Sequence, residues 1–214
     1  MSADHGHGGG RRHPGLAEGL SLSEPALRLL AMEELLVEKG VIGGDDVRRV
    51  MDVIAARSPA DGARVVARAW TDPAFKLRLL EDPRAALAEV GYPVASGAVL
   101  SVVENTEAVH HLVVCTLCSC YPTSLLGPPP DWYKSFAYRS RAVADPRGVM
   151  REFGLEVDEA VEVRVVDSAA DLRYMVLPRR PEGTEGMAEE DLVALVTRDS
   201  LVGVGAPNPP AAES

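Results

Sequence analysis

Apolar residues at helical spacing mark the first ninety residues of the chain. Between Ser23 and Lys39, the side chains of Leu29, Met32 and Leu36 fall on one helical face, and Gly40 follows as a stop. Four further helices are predicted from similar stripes and from Asp-Pro starts: one from Asp45, one over 59–70, one from Asp72-Pro73 and one from Asp82-Pro83. Helices this short predict an arm wrapped on another surface rather than a self-sufficient bundle.

After residue 93 the pattern changes to strands and helices in mixed order. Strands are predicted at Val99–Glu104, His110–Val114, 161–166 and Leu172–Leu177, and helices at Trp132–Val143, Pro146–Phe153 and Glu189–Arg198. The order favours an α+β fold in which a helical N-terminal arm precedes a mixed, layered α/β domain. We therefore predict a disordered polar tail over 1–22, the arm over 23–92, the α+β domain over 93–205 and a flexible tail over 206–214.

Charge and composition exclude several classes of function. The chain has 214 residues, and its 22 basic and 32 acidic side chains give 22 − 32 = −10. A nucleic-acid partner is not expected, since no basic stripe is visible. No apolar run approaches the ~18 residues of a transmembrane helix, and no secretory signal is apparent at the N-terminus. We expect a cytoplasmic protein without a membrane partner.

All three cysteines lie within six consecutive residues, as Cys115, Cys118 and Cys120. An odd, tightly spaced set is not a disulfide framework. The three thiolates can converge on one metal ion if the backbone curls, which also turns the amides of Ser119 and Cys120 inward. Three sulfurs and two deprotonated amide nitrogens make five ligands and leave one open position, as a catalytic trivalent transition metal in octahedral geometry requires.

Other uses of the same thiols stay open at this point. A structural zinc site needs a fourth ligand, for which His110 and His111 are the nearest choices, although they are more typical of strand residues. A redox Cys-x-x-Cys pair does not need a third cysteine. Iron–sulfur clusters generally take four cysteines.

The segment Val114-Cys115-Thr116-Leu117-Cys118-Ser119-Cys120 resembles the metal motif of nitrile hydratase α subunits and of the related thiocyanate hydrolase γ subunit. Further segments share the resemblance, which extends over residues 24–205: Ala67–Pro73, Val103-Glu104-Asn105-Thr106, Trp132–Ser135, Tyr138–Arg141, Asp145-Pro146-Arg147, Glu152-Phe153-Gly154, Arg173–Pro178, Gly183–Gly186 and Thr197–Ser200.

The resemblance implies a non-corrin metal centre. Its ligands would be the sulfurs of Cys115, Cys118 and Cys120 and the amides of Ser119 and Cys120. Thr116 matches the cobalt-type members, so low-spin Co(III) is expected rather than Fe(III). Cys118 is expected as a sulfinate and Cys120 as a sulfenate that acts as nucleophile or general base, while Cys118 and Ser119 complete the catalytic set.

The implied activity is a lyase reaction that hydrates a small nitrile to an amide. Conversion of thiocyanate to carbonyl sulfide and ammonia is the alternative within the family, and a non-catalytic zinc or redox protein is the second alternative. The resemblance also implies a β-type partner subunit, whose arginines bind the oxidised cysteines, and a metallochaperone or activator.

Two departures from the family pattern bear on the substrate. Thr123 stands where nitrile hydratases commonly carry Trp, and Ser96-Gly97-Ala98 replaces Gln-Gly-Glu. Smaller residues there predict a roomier or differently polar pocket. Asp167 and Arg173 are candidates for a pair near the partner interface or for an ordinary salt bridge, and Trp132 and Tyr133 are predicted to pack at a helix start.

Overall fold

Helices form the first part of the computed structural model, which describes residues 22–92 and 97–211. They are α1 (Glu24–Glu38), α2 (Asp46–Ala56), α3 (Pro59–Thr71), α4 (Pro73–Glu81) and α5 (Pro83–Glu89). All five agree with the helices predicted from the sequence. The polar tail predicted over 1–22 lies outside the described residues except for residue 22.

The chain divides into two compact units, with the division between Arg49 and Val50. In the first unit, α1 has proline in its first turn, and Gly40 follows it with φ +67°. None of the residues of α1 is buried; its apolar stripe is open, with Leu29 exposed by 66% and Met32 by 60%. A helix with this much exposed apolar surface does not form a core of its own. The assignment of residues 23–92 to an arm stays a prediction.

In the second unit, Asp-Pro pairs start two of the helices. The carboxylate of Asp72 accepts a hydrogen bond from the Phe75 amide at 3.0 Å, and that of Asp82 accepts one from the Ala85 amide at 3.1 Å. Each carboxylate thus satisfies an amide that the helix leaves unpaired at its N-terminus, and the following proline has no amide to satisfy. Helix α3 buries Val65, Val66 and Ala69 in the core, which fixes these helices on the strands.

Four strands lie in the described part of the second unit: β1 (Val99–Glu104), β2 (Val109–Val114), β3 (Glu162–Asp167) and β4 (Leu172–Leu177). They form two parallel pairs, β1 with β4 and β2 with β3. In the second pair, Val114 is opposite Asp167, so both strands end beside the cysteine segment. This arrangement of helices around small sheets confirms the predicted α+β class.

Two long predicted helices are each divided. The helix predicted over Trp132–Val143 is α7 (Asp131–Lys134) followed by α8 (Phe136–Ala144), because Ser135 takes an extended backbone (φ −66°, ψ 143°) and its hydroxyl caps the Tyr138 amide at 3.1 Å. The helix predicted over Glu189–Arg198 is α10 (Glu189–Val193) followed by α11 (Arg198–Val202), which Thr197 opens with a capping box. Local capping chemistry overrides the apolar periodicity in both cases.

The remaining helices of the described part are α6 (Thr123–Leu126), directly after the cysteines, and α9 (Pro146–Glu152). The segment predicted as a flexible tail over 206–214 is described as far as residue 211, and its Asn208 amide donates to the Leu195 carbonyl at 2.7 Å. Among the helices described, none has the length and hydropathy needed to cross a bilayer.

Candidate metal centre

The cysteine segment begins where strand β2 ends. Cys115 directly follows Val114 and is fully buried, whereas Cys118 is exposed and Cys120 is half-buried. The strand end is fixed from two sides: the Tyr138 hydroxyl donates to the Val113 carbonyl at 2.5 Å, and the Ser168 amide donates to the Val114 carbonyl at 2.7 Å. The first thiol of the motif therefore stands on a rigid support.

The three thiols converge as the spacing predicts. The Sγ atoms of Cys115 and Cys118 are 3.6 Å apart, those of Cys118 and Cys120 are 3.2 Å apart, and all three lie within 4.8 Å of one another. Two thiolates bound at ~2.3 Å to one ion are about 3.3 Å apart at a right angle and about 3.8 Å apart in a tetrahedron. The separations of the adjacent pairs therefore fit a single thiolate-bound ion.

Backbone amides also face the sulfur cluster. The Cys118 amide donates to the sulfur of Cys115 at 3.3 Å. The amides of Ser119 and Cys120 both act on the Cys118 thiolate and lower its pKa. Two of these three amides are the ones that the sequence predicts as nitrogen ligands, so their position is compatible with that role.

In the metal-free chain the thiols have different acidities. Hydrogen bonding by the Cys120 thiol and then by the Ser119 amide lowers the pKa of Cys118 to about 7. Burial, followed by the proton shared with Cys118, raises the pKa of Cys120 to about 12, although the nearby Arg173 guanidinium acts in the opposite direction. The cluster thus holds thiolate character at its exposed sulfur near neutral pH, as a site for a soft cation requires.

The Asp167 carboxylate, at the end of β3, holds the first turn of the loop. One of its oxygens accepts from the Thr116 amide at 3.0 Å and the other accepts from the Thr116 hydroxyl at 2.6 Å. The Arg139 guanidinium donates to the Thr116 carbonyl at 3.3 Å. Asp167 therefore binds the loop rather than Arg173, whose guanidinium donates to the carbonyls of Ala169 and Leu172.

Tyr133 supports the other end of the loop. Its side chain is fully buried, as predicted for a packing residue, and its hydroxyl donates to the Cys120 carbonyl at 2.9 Å. Its ring contacts Tyr121 edge-on at a centroid distance of 5.1 Å, within an aromatic cluster that includes Trp132 and Tyr138. Sequence reasoning missed the hydrogen bonds made by Tyr133 and Arg139, because a residue eighteen or more positions from the first cysteine carries no local sign that it reaches the loop.

His110 and His111 lie on β2 as predicted, and neither belongs to the thiol cluster. The two ring nitrogens of His110 face the Asn105 amide at 3.2 Å and the Gly203 carbonyl at 2.8 Å. Among the residues described, no histidine or carboxylate joins the three cysteines as a further close ligand.

The structure describes some of the residues that depart from the family pattern. Thr123 begins α6 half-buried, and its hydroxyl donates to the Tyr121 carbonyl at 3.3 Å. Ala98 is half-buried directly before β1, and Ser96 lies outside the described residues. The prediction that small residues here enlarge the substrate pocket stays a prediction.

Comparison with known proteins gives three concordant results. The family model described as nitrile hydratase, alpha chain, matches residues 23–205. The low-molecular weight cobalt-containing nitrile hydratase subunit alpha of Rhodococcus rhodochrous is 54% identical over 191 residues, covering 89% of this chain and 92% of the relative. Thiocyanate hydrolase subunit gamma of Thiobacillus thioparus is 43% identical, covering 84% and 79%.

Solved structures agree with the sequence relatives. A recombinant thiocyanate hydrolase with partially modified cobalt centres superposes with a TM-score of 0.82 at 39% identity, covering 91% of this chain and 96% of that one. The family model spans far more than half of the chain. Each alignment covers most of this chain and most of the relative. This chain belongs to the nitrile hydratase alpha chain family.

Proposed function

We propose that this chain is the metal-carrying subunit of a cobalt nitrile hydratase, a lyase that adds water to a small nitrile to form the amide. The observation that carries the proposal is the convergence of three thiols within 4.8 Å at the end of β2. Support comes from the family match and from the 54% identity to a cobalt-containing relative.

The sulfurs of Cys115, Cys118 and Cys120 and the amides of Ser119 and Cys120 would hold the cobalt, as Co(III). When bound, the metal would supply Lewis acidity for the hydration of the nitrile. Cys115 suits the role of unmodified thiolate, because it is fully buried against the strand support. Cys118, which is exposed, and Cys120, which is half-buried, are accessible to oxidation to sulfinate and sulfenate.

The chemical role proposed for Cys120 is that of nucleophile or base. A sulfenate oxygen there accepts a proton from the water whose oxygen bonds to the nitrile carbon, and that proton is then passed to the nitrile nitrogen. The imidic acid formed in this way then moves its remaining hydroxyl proton to the nitrogen and becomes the amide, so that one water is consumed. Tyr133 and Asp167 fix the two ends of the loop, through the Cys120 carbonyl and through Thr116, which favours a constant position of the Cys120 side chain.

A β-type partner subunit is part of the proposal. The loop is open on one side: Cys118 is exposed and Leu117, at the tip, is exposed by 85%. Oxidised sulfurs in a covered site need cationic donors, which the partner's arginines would supply. The names of the relatives, subunit alpha and subunit gamma, are those of multi-chain proteins. We extend the proposal to a metallochaperone or activator that loads the cobalt and to a cytoplasmic location.

Thiocyanate hydrolysis is the second candidate, favoured by the TM-score of 0.82 to a thiocyanate hydrolase. Sequence identity favours the nitrile reaction, with 54% to a nitrile hydratase subunit against 43% to a thiocyanate hydrolase subunit. Side-by-side turnover of a small aliphatic nitrile and of thiocyanate by the purified complex separates the two. Amide formation without carbonyl sulfide supports the nitrile reaction, and the reverse result transfers the proposal to thiocyanate.

A non-catalytic zinc or redox role is less well supported. Tetrahedral zinc needs a fourth ligand, and both ring nitrogens of His110 are engaged elsewhere. The deciding experiment is elemental analysis and peptide mass spectrometry on the complex purified from its native host. One cobalt per chain, with two added oxygens on Cys118 and one on Cys120, supports the proposal. Zinc or no metal with three unmodified cysteines would refute it.

A further inference from the structure

The side chain of Asn105, between strands β1 and β2, is almost fully buried and has a fixed orientation. Its Oδ1 accepts a hydrogen bond from the His111 amide at 2.7 Å and lies 3.2 Å from the His111 Nδ1. Since a backbone N–H can only donate, the oxygen must occupy this position. The Asn105 amide group Nδ2 therefore points to His110, where it lies 3.2 Å from Nδ1.

These contacts determine the protonation state of the His110 ring. Nδ1 faces the N–H donor of Asn105 and must offer its lone pair, while Nε2 faces the Gly203 carbonyl at 2.8 Å and must carry the proton. A doubly protonated ring would place one N–H group against another. Turning the Asn105 amide would only transfer the conflict to the His111 amide.

The contact to Gly203 joins α11 to the strand that carries the metal loop. Gly203 ends α11 with φ +87°, and a Cβ atom built there would collide with the His111 carbonyl oxygen. The turn thus packs directly on β2 at His111, four residues before Cys115. His110 is the side chain that hydrogen-bonds across this contact.

We propose that His110 is a positioning residue of the metal centre: its two hydrogen bonds, from Asn105 and to Gly203, tie strand β2 in place, and the pair is complete only while the ring is neutral. A doubly protonated ring keeps the bond to Gly203 and loses the bond from Asn105. The part of this inference that concerns the metal rests on the proposed function. The part that concerns the strand does not.

The surroundings of His110 favour the neutral ring. Burial lowers its pKa below the ordinary value, the Gly203 carbonyl acts in the opposite direction, and the Arg147 guanidinium of α9 lowers it further. The other titratable or charged groups nearby are His111 on β2, Glu162 and Arg164 on β3, and Arg179, Arg180 and Glu182, which line a hollow of about 260 Å³ beside the ring. Burial and the Arg147 guanidinium together oppose a second proton on the ring.

The sign of the pH dependence follows from this direction. With the folded pKa of His110 below 6.5, the unfolded chain binds more protons than the folded chain at lower pH. The contribution of the tie to stability is therefore present above pH 6.5 and is lost as the pH falls from there through the folded pKa.

Asn105→Asp inverts this dependence with almost no change in shape. One carboxylate oxygen still accepts from His111, while the other accepts from a protonated His110 and raises its pKa. Stability from the tie would then be present at low pH and lost as the pH rises. Asn208→Asp, the same change at an exposed position, is the matched control.

The experiment compares thermal unfolding of the complex with its partner, between pH 5 and 8, for the parent and both variants. We expect the ratio of the unfolding constant of Asn105→Asp to that of the parent to fall as the pH is lowered. The fall should be at most about tenfold per pH unit, which is the limit when the two proteins differ by one bound proton. Asn208→Asp should follow the parent. Parallel curves for Asn105→Asp and the parent would overturn the proposal.

A second measurement applies even if Asn105→Asp does not fold. Deuterium exchange at the imidazole C2 carbon, followed by tandem mass spectrometry, gives the titration midpoint of each histidine in the parent complex. A midpoint for His110 below 6.5 supports the neutral ring, and a midpoint at or above 6.5 overturns it.

The link to the metal is tested by the rate at which the complex releases cobalt to a chelator at pH 5. Acid protonates the thiolates in both proteins, so the comparison isolates the tie. We expect slower release from Asn105→Asp than from the parent. Equal rates, in a variant whose stability curve is inverted, would remove the positioning role. A complex without cobalt would refute the proposed function, while the unfolding curves would still decide the tie.

Discussion

The contact between Thr116 and Asp167 offers the sharpest test of how the loop is held. Thr116→Val keeps the shape of the side chain and the amide bond to Asp167, and it removes only the hydroxyl bond of 2.6 Å. An O–H···O⁻ bond of this length is charge-assisted, and such bonds contribute ~1.5–3 kcal/mol. The pair is exposed to solvent, which reduces the expected loss to about 1–2 kcal/mol.

The loss should appear as easier local opening of the loop. A change of ~1–2 kcal/mol corresponds to amide hydrogen exchange that is about 5- to 30-fold faster. Exchange followed by mass spectrometry of the peptide spanning residues 113–122 measures it on the metal-free complex. Thr116→Ser, which retains the hydroxyl, is the control. Equal exchange in the Val and Ser variants would show that the hydroxyl does not hold the loop.

Three further outcomes follow from the same structure. Tyr133→Phe removes a buried hydroxyl bonded to the loop and should lower the free energy of unfolding by ~1 kcal/mol. Tyr121→Phe should lower it less, because that hydroxyl has no partner among the described residues. Denaturant titration of the two variants measures both losses, and the reverse order would contradict the prediction. Gly203→Ala should lower the thermal midpoint sharply, since the position has φ +87° and a Cβ would collide with a backbone carbonyl; an unchanged midpoint would argue against the packing of α11 on β2. In the metal-free protein, iodoacetamide should modify Cys118 before the other two thiols. The rate of modification should fall as the pH decreases below about 7, since the thiolate is the nucleophile. Preferential labelling of Cys120 in peptide mass spectra would show that Cys118 is not the most acidic of the three thiols.

Much of the local structure could be predicted because its cause is local. The Asp-Pro starts of α4 and α5 carry both the capping carboxylate and the proline in two adjacent residues. Strands β1 and β4 agree residue for residue with their apolar runs. The predictions of two uninterrupted helices were wrong because the interruption has no local signal. Ser135 and Thr197 lie within apolar periodicity, and only their backbone conformation shows that they cap a new helix.

The sequence by itself determined the chemistry of the site. Three thiols within six residues can converge if the backbone curls once between them, and the surrounding motif identified the family. Tertiary structure alone decided what holds those thiols. Asp167 reaches Thr116 because β3 pairs with β2, and Tyr133 reaches Cys120 because the aromatic cluster turns α7 towards the loop. The protonation of His110 likewise depends on Gly203, ninety-three residues away, because a hydrogen bond requires proximity in space, which sequence spacing does not encode.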